Sequence, residues 1–224
     1  MECRFCEYKS GPFQQLHEKD LIAISSYCFA KEFKKGEQIF SEGHPIGDIT
    51  YLKKGLLKIQ KKIDGGKNVI FQILQAPGYF GLPSVFADKF YHTSAEALTQ
   101  SEVCFMAKEP FFDLIKKDGN FGLNLLKCNC KSELHYIDHT VTLVRQQVPG
   151  RLADVLMFFY KNMAYQHSFT LPLTKSEMAE FMGVSTKSLT RIMTEFKNDG
   201  IIKTENSKIE ILRPDLLERL VRLG

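Results

Sequence analysis

Tryptophan is missing from this chain of 224 residues, and so is any long apolar run. No segment approaches the roughly 18 consecutive apolar residues that a membrane-spanning helix needs. Residues 1–6 also lack the basic and then apolar stretch of a secretory signal peptide. We therefore expect no membrane partner and a cytoplasmic location.

Charge of one sign is also scarce. The 30 basic and 26 acidic side chains leave a net charge of +4, which divides evenly on either side of Pro149. A nucleic-acid partner therefore has to be argued from where charges lie rather than from their total. Arrangements typical of enzymes, such as a phosphate-binding loop or a nucleophile beside its base, are not recognisable, and we expect no enzymatic activity.

The cysteine content is too low for a disulfide-rich chain. There are six cysteines, and a cytosolic chain of this size seldom uses them as a disulfide framework. Metal binding, redox sensing and plain burial all stay open for them. They are Cys3, Cys6, Cys28, Cys104, Cys128 and Cys130.

The N-terminal half changes its pattern after a short helical segment. Apolar spacing predicts a helix over 13–29, and glycine-punctuated runs over 31–108 predict a rolled, all-β body. Residues 64–66 have the composition of a hairpin tip. The strand candidates are 39–40, 49–52, 56–59, 69–74 and 103–106.

A proline-free helical pattern covers about 119–145. Its apolar positions repeat every seven residues, which predicts a coiled-coil seam, although Lys127 interrupts the seam near its start. A helix of about 40 Å favours dimerisation over the alternative, packing along its own domain. Residues 148–150 are expected to end the helix as a hinge. The predicted seam consists of Leu123, Cys130, Leu134, Ile137, Val141 and Val144.

The pattern after Pro149 predicts three helices and a hairpin. An amphipathic helix over 151–165 comes first. Residues 201–204 and 208–212 read as two strands joined by a polar turn, which predicts a β-hairpin wing at the end.

Between that helix and the wing lie the signals of a helix-turn-helix. Thr174 and Glu177 fit a capping box that opens the first helix. Gly183 supplies the turn, and Ser185 is a natural N-cap for the second helix, over 186–196. One face of this second helix is apolar and the other is short, polar and basic, as in helices that enter the DNA major groove.

The polar face supplies the predicted DNA contacts, although an ordinary solvated helix face is the alternative. The planar fork of Arg191 suits a guanine edge or two phosphate oxygens, whereas Lys187 supplies charge. Ser185 and Thr186 can reach phosphate near the helix N-terminus. The predicted contacts are Thr174, Ser185, Thr186, Lys187, Thr190, Arg191 and Thr194.

Together these motifs resemble the CRP/FNR family of bacterial transcription regulators, named for the cyclic-AMP receptor protein and the fumarate-nitrate-reductase regulator. Residues 36–43 and 51–58 resemble the β-roll signature of the family, and residues 78–81 resemble the glycine pair that leads into its effector pocket. The helix-turn-helix completes a resemblance that covers nearly all of the chain.

The resemblance implies an α+β chain in three parts. A cyclic-nucleotide-binding-like β-roll is expected over 1–118, a dimerisation helix and hinge over 119–148, and a winged helix-turn-helix over 149–224. It also implies a homodimer on a two-fold symmetric operator in double-stranded DNA, with RNA polymerase as a further candidate partner. Many relatives have an Arg-Glu pair where this chain has Thr186 and Lys187, so no operator consensus carries over.

The chain departs from the cyclic-nucleotide binders of this family. Those proteins follow the second glycine with a glutamate that holds the ribose, and they place an arginine on the cyclic phosphate. Here Leu82 follows Gly81, and residues 91–95 contain no arginine, so cyclic AMP is not the expected effector. His92 is either a substitute cation when protonated or a structural histidine. The candidate pocket residues are Gly81, Leu82, His92, Thr93 and Ser94.

The oxygen-sensing branch of the family holds an iron–sulfur cluster between N-terminal cysteines and one cysteine of the β-roll. Cys3, Cys6 and Cys104 resemble three of those ligands, but the third N-terminal cysteine is missing. His135 and His139, four residues apart on the long helix, are either haem or metal ligands or a solvated pair. The cofactor is therefore unknown, with an iron–sulfur cluster and haem as candidates.

The sequence thus predicts a DNA-binding transcription regulator whose β-roll couples an effector or redox signal to operator binding by a dimer. The alternative is a β-roll signalling module whose C-terminal part contacts protein rather than DNA. A steep fall of affinity with rising salt would distinguish DNA binding, because neutralised phosphates release counterions.

Overall fold

The computed structural model divides the chain into two compact units, Met1–Tyr136 and Ile137–Gly224, with the division inside the long helix. The three-part division expected from the resemblance stays a prediction. Across the described ranges, no helix is both long enough and apolar enough to cross a bilayer. The described ranges are 3–63, 68–162, 166–206 and 208–223.

The N-terminal segment is broken into short pieces, so the single helix predicted over 13–29 is wrong. The chain leaves its helical path after Ser25 because residues 28–33 pair with a neighbouring strand, and this pairing overrides the local helical spacing. The pieces are a 3₁₀ turn at Cys3–Phe5, helices α1 (Gly11–Gln14) and α2 (Glu18–Ser25), and strand β1 (Cys28–Phe33).

Two antiparallel four-stranded sheets form the body of the first unit, as the predicted all-β roll requires. Seven strands follow β1: β2 (Gln38–Phe40), β3 (Asp48–Lys54), β4 (Leu56–Lys62), β5 (Asn68–Gln75), β6 (Gly78–Phe80), β7 (Ser94–Ala97) and β8 (Ser101–Ala107). One sheet has the order β1-β8-β3-β6 and the other has the order β2-β7-β4-β5.

Every strand candidate corresponds to an observed strand, but β1, β6 and β7 were missed. β6 has only three residues, and β7 consists of small and acidic residues with little β-propensity. Strands β4 and β5 pair from Leu56 opposite Gln75 to Lys62 opposite Asn68. The hairpin tip predicted at 64–66 lies outside the described residues.

Gly55 makes the sharp turn between β3 and β4. Its φ angle is +96°, and a Cβ atom at this position would lie 2.6 Å from the carbonyl oxygen of Gln100. Any other residue would therefore meet both backbone strain and a collision with the backbone.

Three further helices contribute side chains to the core of the first unit. They are α3 (Leu82–Ala87), α4 (Lys108–Lys117) and the first part of α5 (Gly119–Arg145). Phe111 of α4 and Phe121 of α5 are almost fully buried and pack edge to face, with ring centroids 5.4 Å apart. Burial of such a side chain contributes about 2–3 kcal/mol. The start of α5 is therefore anchored on its own unit.

The second unit contains the remainder of α5, the helix-turn-helix and a small sheet of order β10-β11-β9. Its elements are α6 (Val148–Asn162), β9 (Ser168–Thr170), α7 (Lys175–Phe181), α8 (Thr186–Asn198), β10 (Ile202–Glu205), β11 (Lys208–Ile211) and α9 (Pro214–Leu223). Strands β10 and β11 are the predicted wing. Strand β9 and helix α9 were not predicted.

The hinge predicted at 148–150 is wrong. The break falls at residues 146–147, and Pro149 lies in the first turn of α6. A proline is tolerated there because the first amides of a helix have no intrahelical acceptor. Helix α6 is described as far as Asn162, and the end predicted for it at Tyr165 lies outside the described residues.

Candidate nucleic-acid interface

The first helix of the helix-turn-helix begins with the predicted capping box. The backbone N–H of Glu177 donates to Thr174 Oγ1 over 3.2 Å, and the backbone N–H of Thr174 donates to Glu177 Oε2 over 2.8 Å. Each bond satisfies an amide that the helix itself leaves without an acceptor. A cap of this kind contributes about 1 kcal/mol.

The turn between α7 and α8 depends on Gly183, whose φ angle is +63°. Arg151, near the start of α6, is hydrogen-bonded to this turn. Its Nη1 donates to the carbonyl oxygen of Met182 over 3.0 Å, and its Nε donates to the carbonyl oxygen of Gln146, just before α6, over 2.9 Å. Arg151 therefore positions the turn. Sequence reasoning missed it because its partners are backbone atoms 31 and 5 residues away.

Helix α8 has two sharply different faces. Leu189, Ile192 and Phe196 are at most 3% exposed and pack into the second unit. Ser185 caps the helix, since its Oγ accepts from the backbone N–H of Ser188 over 3.0 Å. The buried face fixes which side of the helix is left for a partner.

All seven predicted DNA contacts are exposed. The hydroxyl of Thr190 donates to the carbonyl oxygen of Thr186 over 2.8 Å, and that of Thr194 donates to the carbonyl oxygen of Thr190 over 2.9 Å. These threonines therefore present methyl groups and acceptor oxygens outward. Such a surface suits a thymine methyl group and the donor edge of a base.

Arg191 is held in place by an acidic neighbour. Its Nη1 lies 2.7 Å from Glu195 Oε1, one helical turn further on, and both side chains are substantially exposed. An exposed pair of this kind is worth at most about 1 kcal/mol, so the guanidinium can leave it for a ligand. Glu195 was not among the predicted contacts, although its spacing of four residues from Arg191 was a readable signal.

The predicted seam of α5 is exposed along its whole length. Leu134 is 60% exposed, Ile137 52% and Val144 83%. A different face of α5 packs along its own unit, which was the alternative to dimerisation: Phe121 and Leu125 are buried in the first unit. The helix thus rests on its own unit at one end and leaves an apolar stripe, Leu123, Cys130, Leu134, Ile137, Val141 and Val144, without cover in the single chain.

The two histidines of α5 have different surroundings. His135 is exposed, whereas the His139 ring stacks on Phe181 of α7 with 4.2 Å between ring centroids and 9° between ring planes. Burial lowers the pKa of His139 below its usual 6.5. Its Nε2 atom is buried without a hydrogen-bond partner, which favours the neutral ring.

Of the candidate effector residues, Gly81 and Leu82 are structural. Gly81 has a φ angle of +74°, and a Cβ atom there would lie 3.1 Å from the ring of Phe40. That ring stacks on Tyr91 at 3.9 Å between centroids. Leu82 is 3% exposed in the first turn of α3.

Two of the polar side chains of the candidate pocket, His92 and Ser94, already have hydrogen-bond partners inside the protein. His92 Nε2 lies 2.7 Å from Asp88 Oδ2, and Ser94 Oγ accepts from the backbone N–H of Glu42 over 2.9 Å. The nearby Lys61 ammonium is 2.9 Å from Glu42 Oε1. Thr93 is half-buried. This region therefore offers a cyclic phosphate no guanidinium and a lysine that already has an acidic partner.

The predicted metal ligands Cys3, Cys6 and Cys104 do not form one site. Over the part of the chain that the structure describes, no group of three or more His, Cys, Asp or Glu side chains could hold a metal ion. Cys6 lines a surface cleft beside Lys53, whereas Cys28 lies within hydrogen-bonding reach of both Cys3 and Cys104. As arranged here, these residues therefore do not fit an iron–sulfur cluster, which was one of the two candidate cofactors.

The buried thiols influence one another. The hydrogen bond with Cys28 lowers the pKa of Cys3 to about 6 and also lowers the pKa of Cys104. The same bonds raise the pKa of Cys28, since its proton is the one shared with its neighbours. The sequence offers Cys28 only as a possible fourth cluster ligand. Its place on β1 beside Cys3 and Cys104 was not predicted, because residues 13–29 were expected to be one helix.

Comparisons with known proteins agree with both units. Residues 30–118 match the model of the cyclic nucleotide-binding domain, and residues 150–220 match that of the Crp-like helix-turn-helix domain. The chain is 22% identical to the CRP-like cAMP-activated global transcriptional regulator of Mycobacterium tuberculosis, over 96% of this chain and 97% of that protein. It is 24% identical to the transcriptional activator protein anr of Pseudomonas aeruginosa, over 81% of this chain and 76% of that protein.

The fold also matches a solved structure, FixK2 from Bradyrhizobium japonicum. The TM-score is 0.77 at 18% identity, covering 86% of this chain and 96% of that one. Regulators with a Crp-like helix-turn-helix bind DNA and function as dimers. The two family models, the relatives matched over most of their length and the capped, outward-facing α8 lead to one conclusion: this chain belongs to the CRP/FNR family, whose members are DNA-binding transcription regulators rather than enzymes.

Proposed function

We propose that the exposed face of α8 enters the major groove of operator DNA. The observation that carries this proposal is the division of the helix: Leu189, Ile192 and Phe196 are buried, and every predicted contact on the opposite side is exposed. A helix of this diameter fits the major groove, where base edges are distinguishable.

The contacts divide into two kinds. Arg191 reads a guanine edge after it releases Glu195, while Thr190 and Thr194 meet thymine methyl groups or donor edges. Lys187 supplies charge to the phosphate backbone, and Thr174, Ser185 and Thr186 reach phosphate oxygens at the starts of α7 and α8. Phosphate contacts fix the position of the helix, and base contacts set the sequence preference.

We further propose that two copies pair through the α5 seam and bind a two-fold symmetric operator. An uncovered apolar stripe with a seven-residue repeat is what a parallel helix pair buries. In this proposal residues 1–118 sense, 119–148 dimerise and 149–224 bind DNA. The dimer acts in the cytoplasm, with RNA polymerase as a further partner.

The effector is proposed to be something other than cyclic AMP, although the Mycobacterium tuberculosis relative is a cAMP-activated regulator. Support comes from the region of Gly81, Leu82, His92, Thr93 and Ser94, which remains the proposed effector pocket. Its serine and histidine are bound internally, and Lys61 is paired with Glu42. A bound phosphodiester would have to break that ion pair to obtain a cation.

The groove assignment can be tested on a duplex selected from a random library by the protein itself. Methylation of guanine N7, in the major groove, should abolish binding at one or more positions in each half-site. Affinity should fall about linearly in log–log form with salt, with a slope set by the number of neutralised phosphates. Interference confined to adenine N3, in the minor groove, would contradict the proposal.

A further inference from the structure

Three thiols that DNA binding does not use lie in the core of the first unit. Cys3, Cys28 and Cys104 are 5%, 7% and 6% exposed and belong to one apolar cluster. The Cys28 thiol lies within hydrogen-bonding reach of the other two. Two cysteines this close together can be oxidised to a disulfide, with the loss of two electrons and two protons.

The strand pairing limits which two of these thiols can form a disulfide. Cys28 of β1 lies opposite Met106, and Cys104 of β8 lies opposite Ala30, so the two cysteines are diagonal neighbours on one face of the sheet. Cα atoms in this relation are about 7–8 Å apart. A disulfide requires about 4.4–6.8 Å, so the paired strands hold Cys28 and Cys104 too far apart.

Cys3 is not constrained in this way. It lies on the short 3₁₀ turn Cys3–Phe5, outside both sheets, where its backbone N–H donates to Ser25 Oγ over 2.7 Å. Side chains, among them Ser25 and Glu18, hold this turn, and no strand ladder does. It can therefore shift towards Cys28 more easily than a paired strand can. Cys28 therefore has one partner that can approach it.

The segment that carries Cys3 also borders a cleft at the surface. The turn that carries Cys3 continues into a cleft of about 650 Å³, open to solvent and lined by Arg4, Cys6 and Lys53 among others. Arg4 is on the same turn as Cys3, and Cys6 directly follows the turn, where its backbone N–H donates to the carbonyl oxygen of Cys3 over 3.2 Å. Cys3 is therefore the buried thiol nearest in sequence to the wall of the cleft.

We propose that Cys3 and Cys28 form a reversible dithiol–disulfide site that is oxidised by a peroxide. The Cys3 sulfur attacks the peroxide oxygen and becomes a sulfenic acid, with water (or an alcohol) released. The Cys28 sulfur then attacks the Cys3 sulfur, the S–O bond breaks and water leaves. Two thiols and one hydrogen peroxide thus give one disulfide and two waters, and a dithiol reductant restores the thiols.

The test is disulfide mapping on the full chain. The reduced protein is treated with hydrogen peroxide and, after the peroxide is removed, is unfolded in urea so that N-ethylmaleimide can alkylate every remaining thiol. The digest is then analysed by mass spectrometry. Labelling of Cys3 and Cys28 should fall about tenfold or more, with a linked peptide pair that dithiothreitol releases. Labelling of Cys104 should not change.

Variants distinguish the pair from its neighbours. Cys28→Ser should abolish the linked peptide and leave Cys3 as a sulfenic acid that dimedone traps, while the matched exchanges Cys104→Ser and Cys130→Ser should retain the link. Cys3→Ser, outside the sheets, repeats the test if Cys28→Ser fails to fold. A link between Cys28 and Cys104, a link between chains, or no disulfide at all would overturn the proposal. None of these readouts involves DNA, so their failure is separate from that of the proposed operator contacts.

Discussion

Helices α5 and α8 are both half-exposed, but they leave opposite kinds of side chain uncovered. Along α5 the exposed stripe is apolar, with Leu134, Ile137 and Val144 more than half exposed. Along α8 the exposed face is threonine, lysine and arginine, while Leu189 and Ile192 are buried. The chemistry left exposed indicates the partner: a second apolar helix for α5, and a hydrated, charged duplex for α8.

The largest effect is expected from a charge on the apolar stripe. Ile137→Asp would bury a carboxylate beside its own copy in the proposed dimer, at a cost of about 3 kcal/mol or more. Sedimentation should show a shift from dimer to monomer at micromolar concentration, and affinity for a symmetric operator should fall roughly a hundredfold.

The matched control is His135→Asp, on the same helix but off the seam and exposed. It adds the same charge and should leave the dimer intact. If both variants dissociate equally, the stripe is not the contact.

The next largest effect separates the two faces of α8. Leu189→Ala removes a buried side chain and should lower the free energy of unfolding by about 2–5 kcal/mol. Thr194→Ala, on the exposed face, should change it by less than about 0.5 kcal/mol while weakening DNA binding. Urea denaturation of both variants measures the difference in the free energy of unfolding. Equal losses of stability would contradict the assignment of one buried and one exposed face.

Sequence could predict these two faces because their signals are local. The capping box at Thr174, the positive φ of Gly183 and the cap at Ser185 each act within a few residues. The features missed depend on distant partners. Strand β1 forms because it pairs with β8. Arg151 positions the helix-turn-helix turn because its guanidinium reaches the carbonyl oxygen of Met182, 31 residues further along the chain. The thiol site joins residues from three separate segments, which no spacing rule reveals.

A smaller effect concerns sequence preference. Arg191→Ala should cost about 1–3 kcal/mol of affinity and relax the choice of base at one position in each half-site. Lys187→Ala should weaken binding to all duplexes alike and reduce the salt slope by about one. Selection from a random library with each variant checks this, and an unchanged preference in Arg191→Ala would assign it to phosphate alone.

The smallest effect is a pH dependence where α5 meets α7. The pKa of His139 is lower in the folded chain than in the unfolded chain. Above about pH 6.5 the imidazole is neutral in both states, so this histidine then costs the folded chain no stability. Below that pH the unfolded chain takes up a proton that the folded chain resists, and stability falls. Urea denaturation at two pH values should show a smaller fall for His139→Gln, and an equal fall would exclude this histidine.

Operator binding should depend on the Lys187 and Arg191 side of α8. The decisive measurement is the affinity of the Lys187→Ala/Arg191→Ala double variant for the duplex that the natural chain selects, compared with Lys116→Ala on the exposed surface of α4. We expect a loss of roughly a hundredfold or more for the double variant and no change for Lys116→Ala. Unchanged affinity in a folded, dimeric double variant would contradict this expectation.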